Sequence, residues 1–425
     1  MCARIRDKSA APFLLFSPQP TPYGLFPQEL KMKKNFFLLL TAQIFLSLGG
    51  LAIPPLIPFI QLELNLTYAQ VGSLMTFVYL GAILMSLPAG WITDNVGVKN
   101  TIVYSLIGSG IFVALLSFIG GYRDAIFFTL LVGLGYGMSN PPTTKGIMLL
   151  VDERNRGLAM SAKQTGVPIA GGLAAATLPS LAILFSWKIS FIIAGTVIGL
   201  AGFLSQFLFR QEQATFPLAK IKSTSSLKDE WRKIYRNKNF IFLSIGGALC
   251  GLVQTSLFTY TILYLRDARS FDLVQAAFCL TLMNLGGILG RVFWGAMSDR
   301  LFKGSRKFVL LLIVSLIFFI SLCLGINFSL PPFILILILF VLGASAIGWN
   351  GVYHALIGEI SGKEMAGRAT GLIMAIVFSG AVVGPILFGK IIDASGSYDI
   401  AWFFLSAAMA GAFAVYSMIR EKDLL

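Results

Sequence analysis

The sequence predicts an all-α membrane protein in which twelve transmembrane helices form two six-helix bundles. Apolar residues make up 56% of its 425 residues and charged residues only 12%, about half the charged share of an ordinary soluble domain. Long apolar stretches recur along the chain, each close to the roughly 20 residues that cross a bilayer core as a helix. Because no water satisfies the backbone there, each stretch must be helical.

We number the predicted spans 1 to 12 in chain order. Their ranges are 36–60, 70–91, 100–120, 125–150, 158–184, 187–209, 239–265, 275–297, 308–327, 331–355, 369–392 and 400–419. The longest interval between spans follows the sixth. The predicted organisation is a cytoplasmic N-terminal tail (1–35), an N-terminal six-helix bundle (36–209), a basic cytoplasmic linker (210–238), a C-terminal six-helix bundle (239–419) and a cytoplasmic tail (420–425). Within the first tail, Met32 offers an alternative translation start.

The placement of positive charge predicts the orientation. The net charge is +14, from 33 Lys and Arg against 19 Asp and Glu. With both termini in the cytoplasm, most Lys and Arg fall in the tails and cytoplasmic loops, and the external loops hold Arg123, Lys188, Arg266 and Arg269. This asymmetry follows the positive-inside rule. The charge therefore sets topology, and we expect no binding of nucleic acid.

The composition leaves little from which to build a catalytic or metal site. The chain has one histidine, His354, and four cysteines without paired or metal-like spacing. No Asp or Glu falls at mid-membrane depth in the predicted spans. We expect a monomer with no enzyme activity, no catalytic residues, no metal and no cofactor, whose partners are the lipid bilayer and a small-molecule solute.

A glycine followed four residues later by an aspartate, with basic residues close behind, ends both span 2 and span 8. The first copy comprises Gly90, Asp94, Gly97 and Lys99, and the second comprises Gly295, Asp299 and Arg300. Repetition across a six-plus-six pattern is how many secondary transporters are built. The chain from Asn35 to about Arg420 thus resembles the major facilitator superfamily, whose hallmark in this loop is G-x-L-x-D-R-x-G-R-K.

The resemblance implies a carrier that alternates between outward-open and inward-open states, with the motif contacts bracing the outward-open state. A glycine lets the end of span 2 approach a neighbour closely, and a carboxylate at the inner surface can pair with nearby Arg or Lys. We expect Asp94 and Asp299 to pair with Arg156 and Arg368, which precede spans 5 and 11. The alternative interpretation is that the two aspartates only mark loop ends.

Cations inside the predicted spans indicate the charge of the solute. Lys145 and Arg291 lie in spans 4 and 8, and Lys163 joins them if span 5 begins directly after Arg156. No carboxylate of the predicted span interiors balances them, and an anion would supply the missing charge. Lys145 is the principal candidate for binding the solute, with extension to the inner interface as the alternative. Arg291 is interpreted as part of a packing and gating element.

Neutral polar side chains inside the spans complete the predicted site. In the family that the chain resembles, spans 1, 4, 7 and 10 line the central pathway. The candidates are Gln43, Asn140, Thr144, Gln164, Gln254, Tyr260, Asn284, Trp349 and Asn350. For each alone, an interhelical hydrogen bond is an equally good interpretation. Prolines also predict a bend in span 1, near Pro54 and Pro55, and another in span 4, ahead of Pro141 and Pro142.

We expect a carrier of a small anion that works by alternating access. The run from Glu153 to Pro168 resembles bacterial permeases of the cyanate, nitrate or organic-anion type, which implies a bacterial inner membrane. Two alternatives stay open: an exporter of neutral or apolar compounds, and a ligand sensor on the same scaffold that transports nothing. Saturable uptake into proteoliposomes would separate a carrier from a sensor.

Overall fold

The structure, a computed structural model, describes residues 26–151, 156–209, 237–302, 304–326, 328 and 330–420. Over these ranges the backbone is almost entirely helical. In the N-terminal half the helices are Phe26–Leu51 and Ile53–Leu64 (span 1), Tyr68–Val96 (span 2), Val98–Leu115 (span 3), Tyr122–Gly137 and Asn140–Leu150 (span 4), Arg156–Gln164 and Gly166–Leu184 (span 5), and Trp187–Leu208 (span 6).

The C-terminal half repeats this order with one fusion. Its helices are Lys238–Arg269 (span 7), Leu273–Arg300 (span 8), Arg306–Gly325 (span 9), Pro332–Ala346 with the first part of Asn350–Ser395 (span 10), the rest of Asn350–Ser395 (span 11), and Tyr398–Ser417 (span 12). Eleven stretches of the described chain are long and apolar enough to cross a membrane on their own. Span 4 is the twelfth, divided into helices of 16 and 11 residues.

Prolines divide spans 1 and 4, as predicted. The first helix of span 1 ends at Leu51 and the second starts at Ile53, directly ahead of Pro54 and Pro55. In span 4 the helix stops at Gly137 and resumes at Asn140, so that two prolines occupy the first turn, where their missing N–H groups cost no hydrogen bond. Span 10 is divided in the matching place, because its second helix starts at Asn350.

The internal repeat is visible in how the spans begin and turn. Span 2 starts with a capping box between Thr67 and Gln70, and span 8 starts with the same device between Asp272 and Gln275. At their far ends, Gly97 and Gly304 both adopt a positive φ, +86° and +88°. Since side chains avoid that region, both turns require glycine. Gly304, which follows the second motif, is therefore the counterpart of Gly97.

Helix pairing follows the same pseudo-symmetry. Span 2 packs on span 4, span 3 on span 6 and span 1 on span 5, and the equivalent pairs 8 and 10, 9 and 12, and 7 and 11 pack in the other bundle. The two bundles meet mainly through spans 2 and 11 on one side and spans 5 and 8 on the other. The fold is thus two similar six-helix bundles joined along two seams.

We name the two faces by the residues at the span ends. The linker face carries Asp94 and Asp299, at the ends of spans 2 and 8, and the predicted orientation puts it in the cytoplasm. The opposite, distal face carries Tyr68, at the start of span 2, and Asp393, at the end of span 11.

One part of the motif interpretation is wrong for this conformation. Gly90 is expected to let the end of span 2 approach a neighbour closely, but nothing lies within 4 Å of a Cβ built on Gly90 or on its counterpart Gly295. The close approaches lie deeper in the spans. A Cβ at Gly81 would come within 2.4 Å of the Leu130 carbonyl oxygen, and one at Gly290 within 2.0 Å of the Ala344 carbonyl oxygen.

These distances predict a contrast between two alanine variants of span 8. Gly290→Ala should destabilise the protein by about 1–3 kcal/mol, because the backbone of span 10 must move away from the new methyl group. Gly295→Ala, one and a half turns further along, should have little effect or a slight stabilising one. Thermal unfolding of the two purified variants checks this; equal melting temperatures would contradict the described packing of spans 8 and 10.

Candidate solute-binding site between the two bundles

A buried lysine lies where spans 4 and 5 meet. Lys163 is only 1% exposed and belongs to the short helix that ends one residue later. Its Nζ lies 3.1 Å from Asn140 Oδ1, 3.0 Å from Thr144 Oγ1 and 3.3 Å from Thr143 Oγ1. An ammonium group carries three N–H donors, so each can point to a neutral oxygen.

The break in span 4 builds this cradle. Because the second helix starts at Asn140, residues one turn apart bring Asn140, Thr143 and Thr144 to one face. The Thr143 hydroxyl also lies 2.8 Å from Gln43 Oε1, and Gln43 Nε2 donates to Ser47 over 3.1 Å. Of the predicted candidates, Asn140 and Thr144 thus contact Lys163 directly, while the fully buried Gln43 supports them from span 1.

Arg291 of span 8 reaches the same place from the other bundle. Its guanidinium donates to the carbonyl of Gln164, the residue after Lys163, and its Nε lies 3.4 Å from the Ile347 carbonyl oxygen. The Gln164 carbonyl is free to accept because its usual helical partner, four residues on, is Pro168, which has no N–H. Arg291 therefore ties the broken part of span 5 to the broken part of span 10.

Lys163 and Arg291 thus lie close together between the bundles, because Arg291 bonds the carbonyl of the residue that follows Lys163. None of the ion pairs found among the described residues includes Lys163 or Arg291. We call Lys163 and Arg291 the electropositive centre.

Neutral hydrogen-bonding groups of the C-terminal bundle form a second cluster. Gln254 Oε1 of span 7 accepts from Trp349 Nε1 over 2.9 Å and from Asn350 Nδ2 over 3.2 Å. Asn350 starts the second helix of span 10 as Asn140 starts that of span 4. The two asparagines therefore occupy corresponding places in the two bundles. Gln254 and Asn350 are half-buried.

Two of the predicted solute-binding residues, Tyr260 and Asn284, lie in contacts between helices. The Tyr260 hydroxyl contacts the backbone carbonyls of Tyr68 and Pro385, at 2.6 and 2.9 Å, which places it in the distal contact between the bundles. Asn284 is 1% exposed and faces Gly171 across the seam of spans 5 and 8. Its Nδ2 donates to the Leu280 carbonyl. The Tyr260 side chain thus holds helices together in this conformation, the alternative that the sequence left open. The hydrogen bond of Asn284 stays within span 8.

The expectation that Lys145 lacks a counter-charge is wrong. Its Nζ lies 2.7 Å from Asp94 Oδ1 and 3.3 Å from the Thr93 carbonyl oxygen. Both side chains are partly exposed at the linker face, so the pair is worth little more than about 1 kcal/mol. The pair connects span 4 to the end of span 2 within one bundle, and the argument for Lys145 as the principal solute-binding cation loses its basis.

The second motif also pairs within its own bundle. Asp299 contacts Arg306 at 2.5 Å, and Arg306 contacts Glu359 of span 10 at 3.1 Å. The expected partners, Arg156 and Arg368, have side chains outside the described residues, so their pairing stays a prediction. Lys99 is half-buried and Arg300 exposed at the linker face.

Sequence reasoning passed over Lys163 as the leading site residue. The sequence did contain a signal for this residue. The lysine lies within an apolar span and directly precedes Gln164, whose backbone carbonyl has no helical hydrogen-bond donor because the residue four positions on is Pro168. What the sequence could not show is the rotation of the short helix Arg156–Gln164, which turns Lys163 towards span 4. The roles of Arg306 and Glu359 were likewise missed, because partners 53 residues apart leave no local pattern.

Comparison with known proteins agrees with this architecture. Residues 39–385 match the family model of the Major Facilitator Superfamily. The probable sulfoacetate transporter SauU of Cupriavidus necator is 24% identical over 387 residues, covering 85% of this chain and 87% of its own. The hexuronate transporter of Bacillus subtilis is 24% identical over 377 residues, covering 85% and 88%.

A solved structure shows the same fold. A single-residue mutant of the nucleoside transporter NupG superimposes with a TM-score of 0.74 at 15% identity, covering 91% of this chain and all of the other. Since the family model spans most of the chain and the fold consists of two pseudo-symmetric bundles, the protein belongs to the Major Facilitator Superfamily and is a multi-pass membrane transporter of small solutes.

Proposed function

We propose that the protein carries a small organic anion, bound between Lys163 and Arg291, by exposing this site alternately to the two faces of the membrane. The observation that carries the proposal is the convergence of two basic side chains, the buried Lys163 of one bundle and the half-buried Arg291 of the other, on the breaks of spans 5 and 10. A carboxylate, sulfonate or similar oxyanion has the geometry to accept from both.

The energetics favour an anion over a neutral solute. A charged group taken out of water loses several kcal/mol of hydration, and neutral oxygens restore only part of this. Lys163 has three such oxygens and Arg291 has backbone carbonyls. An anion between them would be attracted by both charges, so bringing the solute in compensates for the cost of burying the cations.

The neutral groups near the electropositive centre would recognise the uncharged part of the solute. Asn140 and Thr144 lie on the Lys163 side, and Gln254 and Asn350 on the C-terminal side. The names of the two curated relatives support this class of solute, since sulfoacetate and hexuronate are both organic anions.

The proposal also covers the assembly, location and orientation of the protein. The protein would be a monomer in a bacterial inner membrane, with both termini in the cytoplasm, no catalytic activity and no nucleic-acid partner. We also propose that the two bundles span residues 36–209 and 239–419 and that residues 210–238 form the linker. The linker face, with the Asp94 and Asp299 pairs, would then be cytoplasmic.

A ligand panel scored by thermal stabilisation tests the proposal. Small carboxylates and sulfonates should raise the melting temperature of the detergent-solubilised protein in a saturable way, because they bind only the folded state. Their uncharged amides should not. Equal stabilisation by an acid and its amide would favour the neutral-compound exporter instead.

A further inference from the structure

We propose that Tyr68 and Asp393 form the latch that keeps the distal face closed, and that the carrier opens this face by freeing the first turn of span 2 from Asp393. The proposal needs a transport cycle but no particular solute, so it does not depend on the anion site. Tyr68 belongs to the N-terminal bundle and Asp393 to the C-terminal bundle.

The carboxylate of Asp393 caps a helix of the other bundle. Its Oδ1 accepts the N–H of Tyr68 over 2.9 Å, and its Oδ2 accepts the N–H of Ala69 over 2.8 Å. Backbone N–H groups of a first helical turn lack helical partners and carry partial positive charge. Since Thr67 already serves Gln70, Asp393 satisfies two of the donors that remain.

The other polar groups of Tyr68 also bind across the seam. Its hydroxyl lies 2.8 Å from Asp267 Oδ2, and its carbonyl accepts from the Tyr260 hydroxyl over 2.6 Å. The same Asp267 oxygen lies 2.8 Å from the Tyr398 hydroxyl. One residue of the N-terminal bundle thus makes backbone and side-chain hydrogen bonds to three residues of the other.

Glycines allow the backbones to approach closely enough for this latch. A Cβ at Gly72 would come within 2.3 Å of the Pro385 carbonyl oxygen, and a Cβ at Gly389 within 2.3 Å of the Tyr68 carbonyl oxygen. Arg266 of span 7 adds a hydrogen bond to Gln61 of span 1 over 2.9 Å. Spans 2 and 11 are therefore in contact at the distal face, and opening must separate them there.

The linker face shows a different pattern among the described residues. Its carboxylates Asp94 and Asp299 pair with Lys145 and Arg306, each within one bundle. Cross-bundle carboxylate bonds, by contrast, are found at the distal face. The latch therefore stabilises a distal-closed state, and weakening it should transfer molecules to the distal-open state.

The test measures distances on both faces by pulsed electron paramagnetic resonance. The background has its four cysteines replaced by alanine. One label pair, at Leu62 and Ile400, spans the distal face, and a second pair, at Trp91 and Leu301, spans the linker face; all four side chains are exposed. Asp393→Ala should raise the fraction of long Leu62–Ile400 distances at least about 5-fold, and Tyr68→Phe about 2-fold, since it removes one hydrogen bond.

The label pair on the linker face distinguishes the opening of a gate from local loosening of the distal contacts. If Asp393 is a latch, Asp393→Ala should shorten the Trp91–Leu301 distances as the distal ones lengthen. Asp399→Ala is the matched control, because this distal carboxylate lies in the same bundle and its side chain makes no hydrogen bond to span 2 among the described contacts. Unchanged distances in both Asp393→Ala and Tyr68→Phe, or equal shifts in Asp399→Ala, would overturn the proposal.

Discussion

Lys163→Gln is expected to weaken binding of an organic anion by about 100-fold or more, the equivalent of roughly 3 kcal/mol. The substitution keeps a hydrogen-bonding side chain of similar length but removes one of the two charges that face the solute. Lys163→Arg should retain part of the affinity, because the planar guanidinium keeps the charge yet cannot match the three oxygens of Asn140, Thr143 and Thr144. Titration of the purified protein with an anion from the stabilising panel gives the dissociation constants.

Lys145→Gln is the matched control for this prediction. It removes the same charge from the neighbouring span, but from a partly exposed side chain paired with Asp94. Its affinity should stay within about 3-fold of the parent, because a solvent-exposed pair contributes little. If Lys163→Gln bound the anion as tightly as Lys145→Gln, the electropositive centre would not be the binding site.

Arg291→Gln should produce a loss of similar size, and the two losses should not add. Once either cation has been removed, only one charge attracts the anion. Removing the second cation then costs less binding free energy than removing the first did. The coupling in a double-mutant cycle with Lys163→Gln should therefore exceed about 0.5 kcal/mol, the usual limit for independent sites. Dissociation constants of the parent, the two single variants and the double variant measure it.

The double-mutant cycle also distinguishes shared binding from a structural effect. Arg291 bonds the carbonyl of Gln164 and contacts that of Ile347, so its loss could loosen the seam without touching a solute. Arg291→Lys keeps the charge but loses the planar set of N–H donors of the guanidinium. It should bind the anion more tightly than Arg291→Gln. Additive losses, with Arg291→Lys as weak as Arg291→Gln, would assign Arg291 to the seam alone.

Much of the fold could be predicted because the membrane restricts the choices. The lengths of the apolar stretches predicted the number of spans. The prolines predicted where spans 1 and 4 break, at Ala52 and before Asn140. The repeated glycine and aspartate indicated that the two bundles are related by an internal repeat. Each of these signals acts within a few residues of chain, which is why it can be read without a structure.

The site was predicted less well because it depends on which way helices face. Lys145 and Lys163 both lie near the linker face of the N-terminal bundle, and the sequence does not show which one turns inwards. The structure pairs the first with Asp94 and surrounds the second with oxygens of span 4. Arg291 was recognised as an element of helix packing, but its reach across the seam depends on the carbonyl that Pro168 leaves free.

The central claim is that Lys163, and not Lys145, carries the solute's charge through the cycle. Counterflow of a labelled organic anion into proteoliposomes tests it most directly, with the parent, Lys163→Gln and Lys145→Gln measured in parallel at equal reconstitution. We predict counterflow in the parent and in Lys145→Gln, and almost none in Lys163→Gln. Counterflow that survives in Lys163→Gln and is lost in Lys145→Gln would contradict the account.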